Sequence, residues 1–170
     1  MKEKGVVLIG QGGGPTPVIN EQLAGALYEA KKAGLEVYAS RNGLEGLLHA
    51  HVDGNIFNIS HWDPEQIRKI PGAVLYTTRI KLESEKNKYE ISRIRENIAG
   101  LNVLGFTYFG GNDSAAVLKE LGFGVHGSKT IDNDLPMTHH TPGFGSAALF
   151  NAITLKNLVF DTGSFRSTVM

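Results

Sequence analysis

The chain has 170 residues, 41% hydrophobic and 20% charged, which gives room for one soluble domain with a proper core. Lysine plus arginine and aspartate plus glutamate both total 17, so no net field draws it to nucleic acid or to an anionic membrane. With no cysteine, disulfides and thiolate metal sites are excluded, which fits a cytosolic protein. No apolar run approaches 18 residues, and Met1-Lys-Glu-Lys lacks the apolar segment of a signal peptide.

Residues 5–10 form a short apolar run, the pattern of a buried parallel strand. Gln11-Gly-Gly-Gly-Pro-Thr-Pro17 follows, then a helix over 18–33 with Ile19, Leu23, Leu27 and Ala30 on one face and Gly34 as its stop. Strand, glycine-rich turn and helix make half of a βαβ unit whose loop is shaped for an anion. The loop has no Walker lysine and no clean dinucleotide spacing. Residues 35–38 read as a second strand, 42–46 as a turn, and 49–59 as a small strand pair or an irregular cover. Asp63 caps a short helix that ends near Pro71. Ala73-Val-Leu-Tyr76 reads as a brief strand leading to Arg79, and Lys81 to Lys88 as a solvated polar stretch. Residues 89–98 are an amphipathic helix with Ile91, Ile94 and Ile98 inward. Residues 103–109 are the clearest central strand.

Gly110-Gly-Asn-Asp-Ser114 and a helix over 115–121 repeat the strand, glycine turn and helix order, now with a carboxylate. A very short strand at 124–126 precedes Lys129-Thr-Ile-Asp-Asn-Asp134. After the turn Thr141-Pro-Gly-Phe-Gly145, a last helix reaches about Phe160. The alternation predicts an α/β fold, a three-layer sandwich on a mostly parallel, Rossmann-like sheet, with ligands at the carboxyl ends of the strands.

The 129–134 segment carries the most chemistry. Asp132 and Asp134, at i and i+2 beside Lys129 and Thr130, suit a phosphoryl-transfer centre. One carboxylate takes a proton from an attacking hydroxyl, the other supports it or a metal, and the ammonium offsets phosphate charge. The same residue types also make an Asx-rich turn, since Asp and Asn bond their own backbone. Neighbouring His139 and His140 diverge on a loop with no spaced partner, which argues against a metal pair.

In this order the loops resemble the phosphofructokinase family. The resemblance rests on Gly12-Gly-Gly-Pro-Thr-Pro-Val-Ile-Asn20, the Arg79 turn, Gly110-Gly-Asn-Asp-Ser114, Lys129-Thr-Ile-Asp-Asn-Asp134 and Thr141-Pro-Gly-Phe-Gly-Ser146. It implies Asp132 as the base for the 1-hydroxyl of fructose 6-phosphate, Asp134 as its support, and Thr130 as a sugar-side contact. It implies Gly13 and Arg79 as contacts to the donor phosphates, and Asn112 and Asp113 as the magnesium and phosphate station. ATP users in the family carry glycine where this chain has Asp113, and pyrophosphate users tend to carry a lysine matching Lys129. The resemblance therefore implies pyrophosphate as donor. The alternatives are an ATP-dependent enzyme of the family and a non-catalytic phosphate-binding subunit.

Asn112 stands where aspartate is more usual, Val18 where glycine is common, and His139 where aspartate is frequent. The stretch from Ser114 to Lys129 is short for the family. The match covers nearly the whole chain but about the first half of a typical member. Val169-Met170 falls where relatives continue into Met-Gly-Arg. Residues 1–170 are thus expected to be an N-terminal, donor-binding domain, with the sugar-phosphate half outside this chain, of a cytoplasmic and homo-oligomeric enzyme.

Overall fold

The computed structural model describes residues 5–83 and 85–165; residues 1–4, 84 and 166–170 lie outside them. Strand β1 (Val6–Gln11) is central in a five-stranded sheet. It pairs in parallel with β2 (Glu36–Ser40) on one side and with β4 (Gly105–Gly110) on the other. β4 in turn pairs in parallel with β5 (Val125–Ser128). At the other edge β3 (Ile56–Asn58) runs antiparallel to β2, with Tyr38 opposite Asn58. The fold is an α/β sandwich on a mostly parallel sheet.

The side-chain alternation of the strands builds the layers. Leu8 faces a core with Phe106, Tyr108, Ile94, Ile98 and Leu121, under α2 (Leu44–Leu48), α4 (Lys88–Gly100) and α5 (Asn112–Leu121). Ile9 faces the opposite core with Phe109, Ile19, Leu23, Leu27 and Val37, under α1 (Pro17–Lys32) and α3 (Pro64–Ile67). Burying an aliphatic side chain of this size contributes about 1.5–3 kcal/mol. The two apolar stripes expected on α1 and α4 are therefore what clamp the sheet. Gly34 takes a positive φ of 70° just past the end of α1, and Asp63 accepts a 3.0 Å bond from the Glu65 amide at the start of α3.

Several expectations are corrected. Ala73–Tyr76 is a turn, with Tyr76 at φ 59°, and not a strand. The cause is a pair of buried amides that take up its backbone. Gln11 Oε1 accepts from the Leu75 amide at 3.0 Å, and Asn20 Oδ1 from the Val74 amide at 3.1 Å. The 42–46 turn runs into the one-turn helix α2, because Leu44 and Leu47 bury against the sheet. The 49–59 stretch holds the single strand β3 rather than a strand pair.

α5 starts at Asn112, so Asn112 and Asp113 sit on its first turn and not in a preceding loop. The last helix, α6 (Phe144–Gly163), runs past Phe160 and buries none of its residues. Among the described residues no helix is long and apolar enough to cross a membrane.

Candidate active site

β1, β4 and β5 end on the same side of the sheet, and their following loops enclose a cavity of about 390 Å³. This is where the strand order reverses direction around β1, the usual ligand position in an open α/β sheet. All eight residues singled out in the sequence line this cavity: Gly13, Arg79, Asn112, Asp113, Lys129, Thr130, Asp132 and Asp134.

The glycine loop is held by backbone contacts. Gly12 donates to Phe109 O at 2.8 Å and Gly13 to Thr78 O at 3.0 Å. Gly13 sits at φ 76°, where a side chain would be strained. A methyl at Gly12 would meet the Tyr108 hydroxyl. Arg79 approaches from the facing segment, with its Nη2 3.2 Å from where a Cβ on Gly14 would stand. Thr16 precedes α1 but does not cap it, and its hydroxyl is buried without a partner.

Lys129 is the buried cation of the site, 3% exposed. Its Nζ donates to the Gly14 carbonyl at 2.6 Å, joining the loop after β5 to the loop after β1. Burial holds its pKa below the ordinary lysine value; Asp132 opposes that shift and Arg79 adds to it. His126, half-buried on β5, lies 3.1 Å from the Gly110 carbonyl. That oxygen only accepts, so Nε2 carries the proton and donates. Burial pushes the His126 pKa down, which keeps the ring neutral near pH 7.

The carboxylate loop is held by Asn133. This residue adopts φ 56°, its Oδ1 accepts from the Thr141 amide at 2.8 Å, and its Nδ2 donates to His139 O at 3.3 Å. The Asp132 amide donates to Thr130 Oγ1 at 3.1 Å. Asp132 and Asp134, either side of Asn133, thereby keep exposed side chains on the cavity wall. Asn112 and Asp113 are exposed on the first turn of α5, where the helix N-terminus favours an anion.

Among the described residues no group of three or more His, Cys, Asp or Glu is placed to hold a metal. His139 and His140 make no such group. Asn112 and Asp113 offer a magnesium ion two oxygen-bearing side chains, which fits a cation that also draws on phosphate and water oxygens and does not make a resident cage.

Val18 is not among the residues lining the cavity, and its Cγ2 stands 3.2 Å from where a Cβ on Gly143 would be. One lining residue went unnoticed in the sequence. Tyr108 lies at the cavity floor, 1% exposed, and gave only an apolar strand signal. Lys81 is exposed, as expected for the polar stretch, and pairs with Asp113 at 3.1 Å.

The phosphofructokinase family model matches residues 6–170. The chain belongs to the phosphofructokinase family. It is 34% identical to a pyrophosphate–fructose 6-phosphate 1-phosphotransferase of Xanthomonas campestris pv. campestris, over 96% of this chain and 42% of that protein. It is also 34% identical to the protein of that name from Rhodospirillum rubrum, over 93% of this chain and 41% of the relative. The solved structure of a pyrophosphate-dependent phosphofructokinase from Nitrosospira multiformis superposes with a TM-score of 0.79 at 30% identity. That superposition covers 94% of this chain and 42% of the other. The chain therefore spans about two fifths of the length of the relatives it matches.

Proposed function

We propose that this chain is the N-terminal, donor-binding domain of a pyrophosphate-dependent 6-phosphofructokinase, a cytoplasmic and homo-oligomeric enzyme of glycolysis. The observation that carries this reading is the convergence of Arg79, Lys129 and the Gly12–Gly14 loop on one cavity whose opposite wall is Asp113. Two cations and a backbone anion cradle suit a compact, highly charged diphosphate. The carboxylate on the wall disfavours a nucleotide's added phosphate. The names of the Xanthomonas and Rhodospirillum relatives support the same donor and acceptor.

In this reading Asp132 accepts the proton of the 1-hydroxyl of fructose 6-phosphate as that oxygen bonds to the terminal phosphorus of pyrophosphate. The bridging P–O bond breaks, and inorganic phosphate leaves with the electron pair. Lys129 and Arg79 face the charge that gathers on the leaving phosphate. Asp134 supports Asp132, and Thr130 contacts the sugar side. Asn112 and Asp113 would hold magnesium together with donor oxygens, and the ion would neutralise phosphate charge. Gly13 leaves its backbone free to approach the donor.

Calorimetry of the chain with pyrophosphate, and separately with ATP, in magnesium buffer tests the donor. Preferential pyrophosphate binding is expected, with Asp113→Gly shifting the preference toward ATP. A wild-type chain that binds ATP more tightly than pyrophosphate would overturn the assignment.

A further inference from the structure

Tyr76 stands at φ 59°, in the left-handed region that a bulky side chain normally avoids. Glycine or asparagine would take this φ at little cost, so the tyrosine ring brings something the turn itself does not need. The ring is 59% exposed and buries too little to serve as core. Its partner is Arg41, whose guanidinium carbon lies 5.8 Å from the Tyr76 ring centre and 5.6 Å from that of Phe57. Arg41 is itself fixed: its Nε donates to the Gly54 carbonyl at 3.1 Å and its amide to the Asn55 carbonyl at 2.8 Å. The guanidinium thus ties the Tyr76 ring to the end of β2 and to β3 by cation–π contact.

Tyr76 also lies between two anchored points. Before it, the Leu75 amide donates to Gln11 Oε1 at 3.0 Å, and the Leu75 carbonyl accepts from the Asn42 amide at 3.0 Å. After it, the Thr78 carbonyl accepts from the Gly13 amide at 3.0 Å, and Arg79 reaches over Gly14. The φ at Tyr76 therefore sets the direction in which the chain leaves the Leu75 anchor for the glycine loop. An unclamped residue here would let the turn relax and carry Arg79 away. A ring held by Arg41 cannot leave that φ without giving up its stack.

We infer that Tyr76 is a positioning residue: clamped by Arg41, it locks the turn that holds Arg79 over the glycine loop. This rests on the donor reading above, in which Arg79 contacts pyrophosphate. The clamp acts by preorganisation, because the donor binds only the fraction of chains whose turn is competent.

The test is calorimetry of the chain and its variants with pyrophosphate in magnesium buffer, beside thermal unfolding. Tyr76→Asn accepts the positive φ but offers no ring to Arg41. It should unfold no earlier than wild type yet bind pyrophosphate about fivefold more weakly, as when the competent turn falls to about a fifth of the population. Tyr76→Phe keeps the ring and should keep the wild-type affinity. Arg41→Ala should weaken binding as Tyr76→Asn does, and the two together should not add, since both release one clamp. In an Arg79→Ala chain, Tyr76→Asn should lower the affinity no further. Unchanged affinity in Tyr76→Asn, a loss that persists without Arg79, or a loss that tracks earlier unfolding would each overturn the inference while leaving the donor reading intact. A wild-type chain that binds no pyrophosphate would overturn both.

Discussion

The Lys129 ammonium lies 2.6 Å from the Gly14 carbonyl oxygen, across 115 residues of sequence, and it is buried. The cavity thereby holds a desolvated cation next to the glycine loop. Burial holds its pKa below the ordinary lysine value. The folded chain sheds the Lys129 proton at a lower pH than the unfolded chain, whose lysine has the ordinary value of 10.5. Between those two values the unfolded state binds more protons, so this residue makes stability rise with pH.

Lys129→Met should remove that term while keeping much of the side-chain volume. Measured by urea unfolding, wild type should gain stability relative to the variant as pH is raised toward 10.5. Pyrophosphate binding near neutral pH should fall by at least about tenfold, as expected for losing a charge-assisted contact. A stability difference that stays flat with pH would mean that the lysine is not held deprotonation-prone by burial.

Asn20→Leu should be among the most destabilising single changes in the chain. The Asn20 amide accepts from Gln11 Nε2 and from the Val74 amide, and donates to the Ile70 and Gly72 carbonyls. Leucine satisfies none of these groups, and each buried polar group left unpaired costs about 1–3 kcal/mol. A loss of about 3 kcal/mol or more in denaturant unfolding is expected, with the 70–76 turn exchanging its amides first. A change below about 1 kcal/mol would show that water replaces the side chain.

The same amides explain where the fold was legible in sequence and where it was not. The α1 and α4 stripes and the β1 and β4 runs were readable, because the periodicity of Leu23, Leu27, Ile91 and Ile94, and the apolar content of residues 6–9, are local signals. Ala73–Tyr76 has the same apolar, β-branched content. Its backbone is claimed by Gln11 and Asn20, more than fifty residues away, which no local window contains.

The cavity residues were legible because the glycine turns and the 129–134 segment that supply most of them each follow an apolar strand pattern, a local signal. The Lys81–Asp113 pair was not, since its carboxylate stands on α5, outside any local window. α6 was legible as a helix, but nothing in its composition told that the described residues leave it uncovered.

That last point gives a contrast in stability. Ile94 is 1% exposed in the core under α4, whereas Phe150 on α6 is 70% exposed. Ile94→Ala should cost about 2–5 kcal/mol, the transfer and cavity terms of a buried aliphatic residue. Phe150→Ala should stay within about 0.5 kcal/mol, the range of surface substitutions. Both are read by thermal or urea unfolding at one low protein concentration. A large loss for Phe150→Ala would place α6 against another surface in solution.

The sharpest test of the carboxylate loop separates binding from turnover. Asp132 faces the cavity beside Lys129 and Thr130 with its amide bonded to the Thr130 hydroxyl, and Asn133 holds the loop through Thr141 and His139. Asp132→Asn keeps the shape and the backbone contacts but removes the proton acceptor. In a protein that phosphorylates fructose 6-phosphate, kcat should fall by about a hundredfold to ten-thousandfold, the usual span for a general base. Pyrophosphate affinity should not weaken, because no donor contact is lost and a negative charge near Lys129 is removed. Asp134→Asn should cost less in kcat under the proposed reading, in which Asp134 only supports Asp132. If Asp132→Asn instead weakened pyrophosphate binding and left kcat near normal, Asp132 would belong to the donor site, and the base would have to be sought elsewhere on the cavity wall.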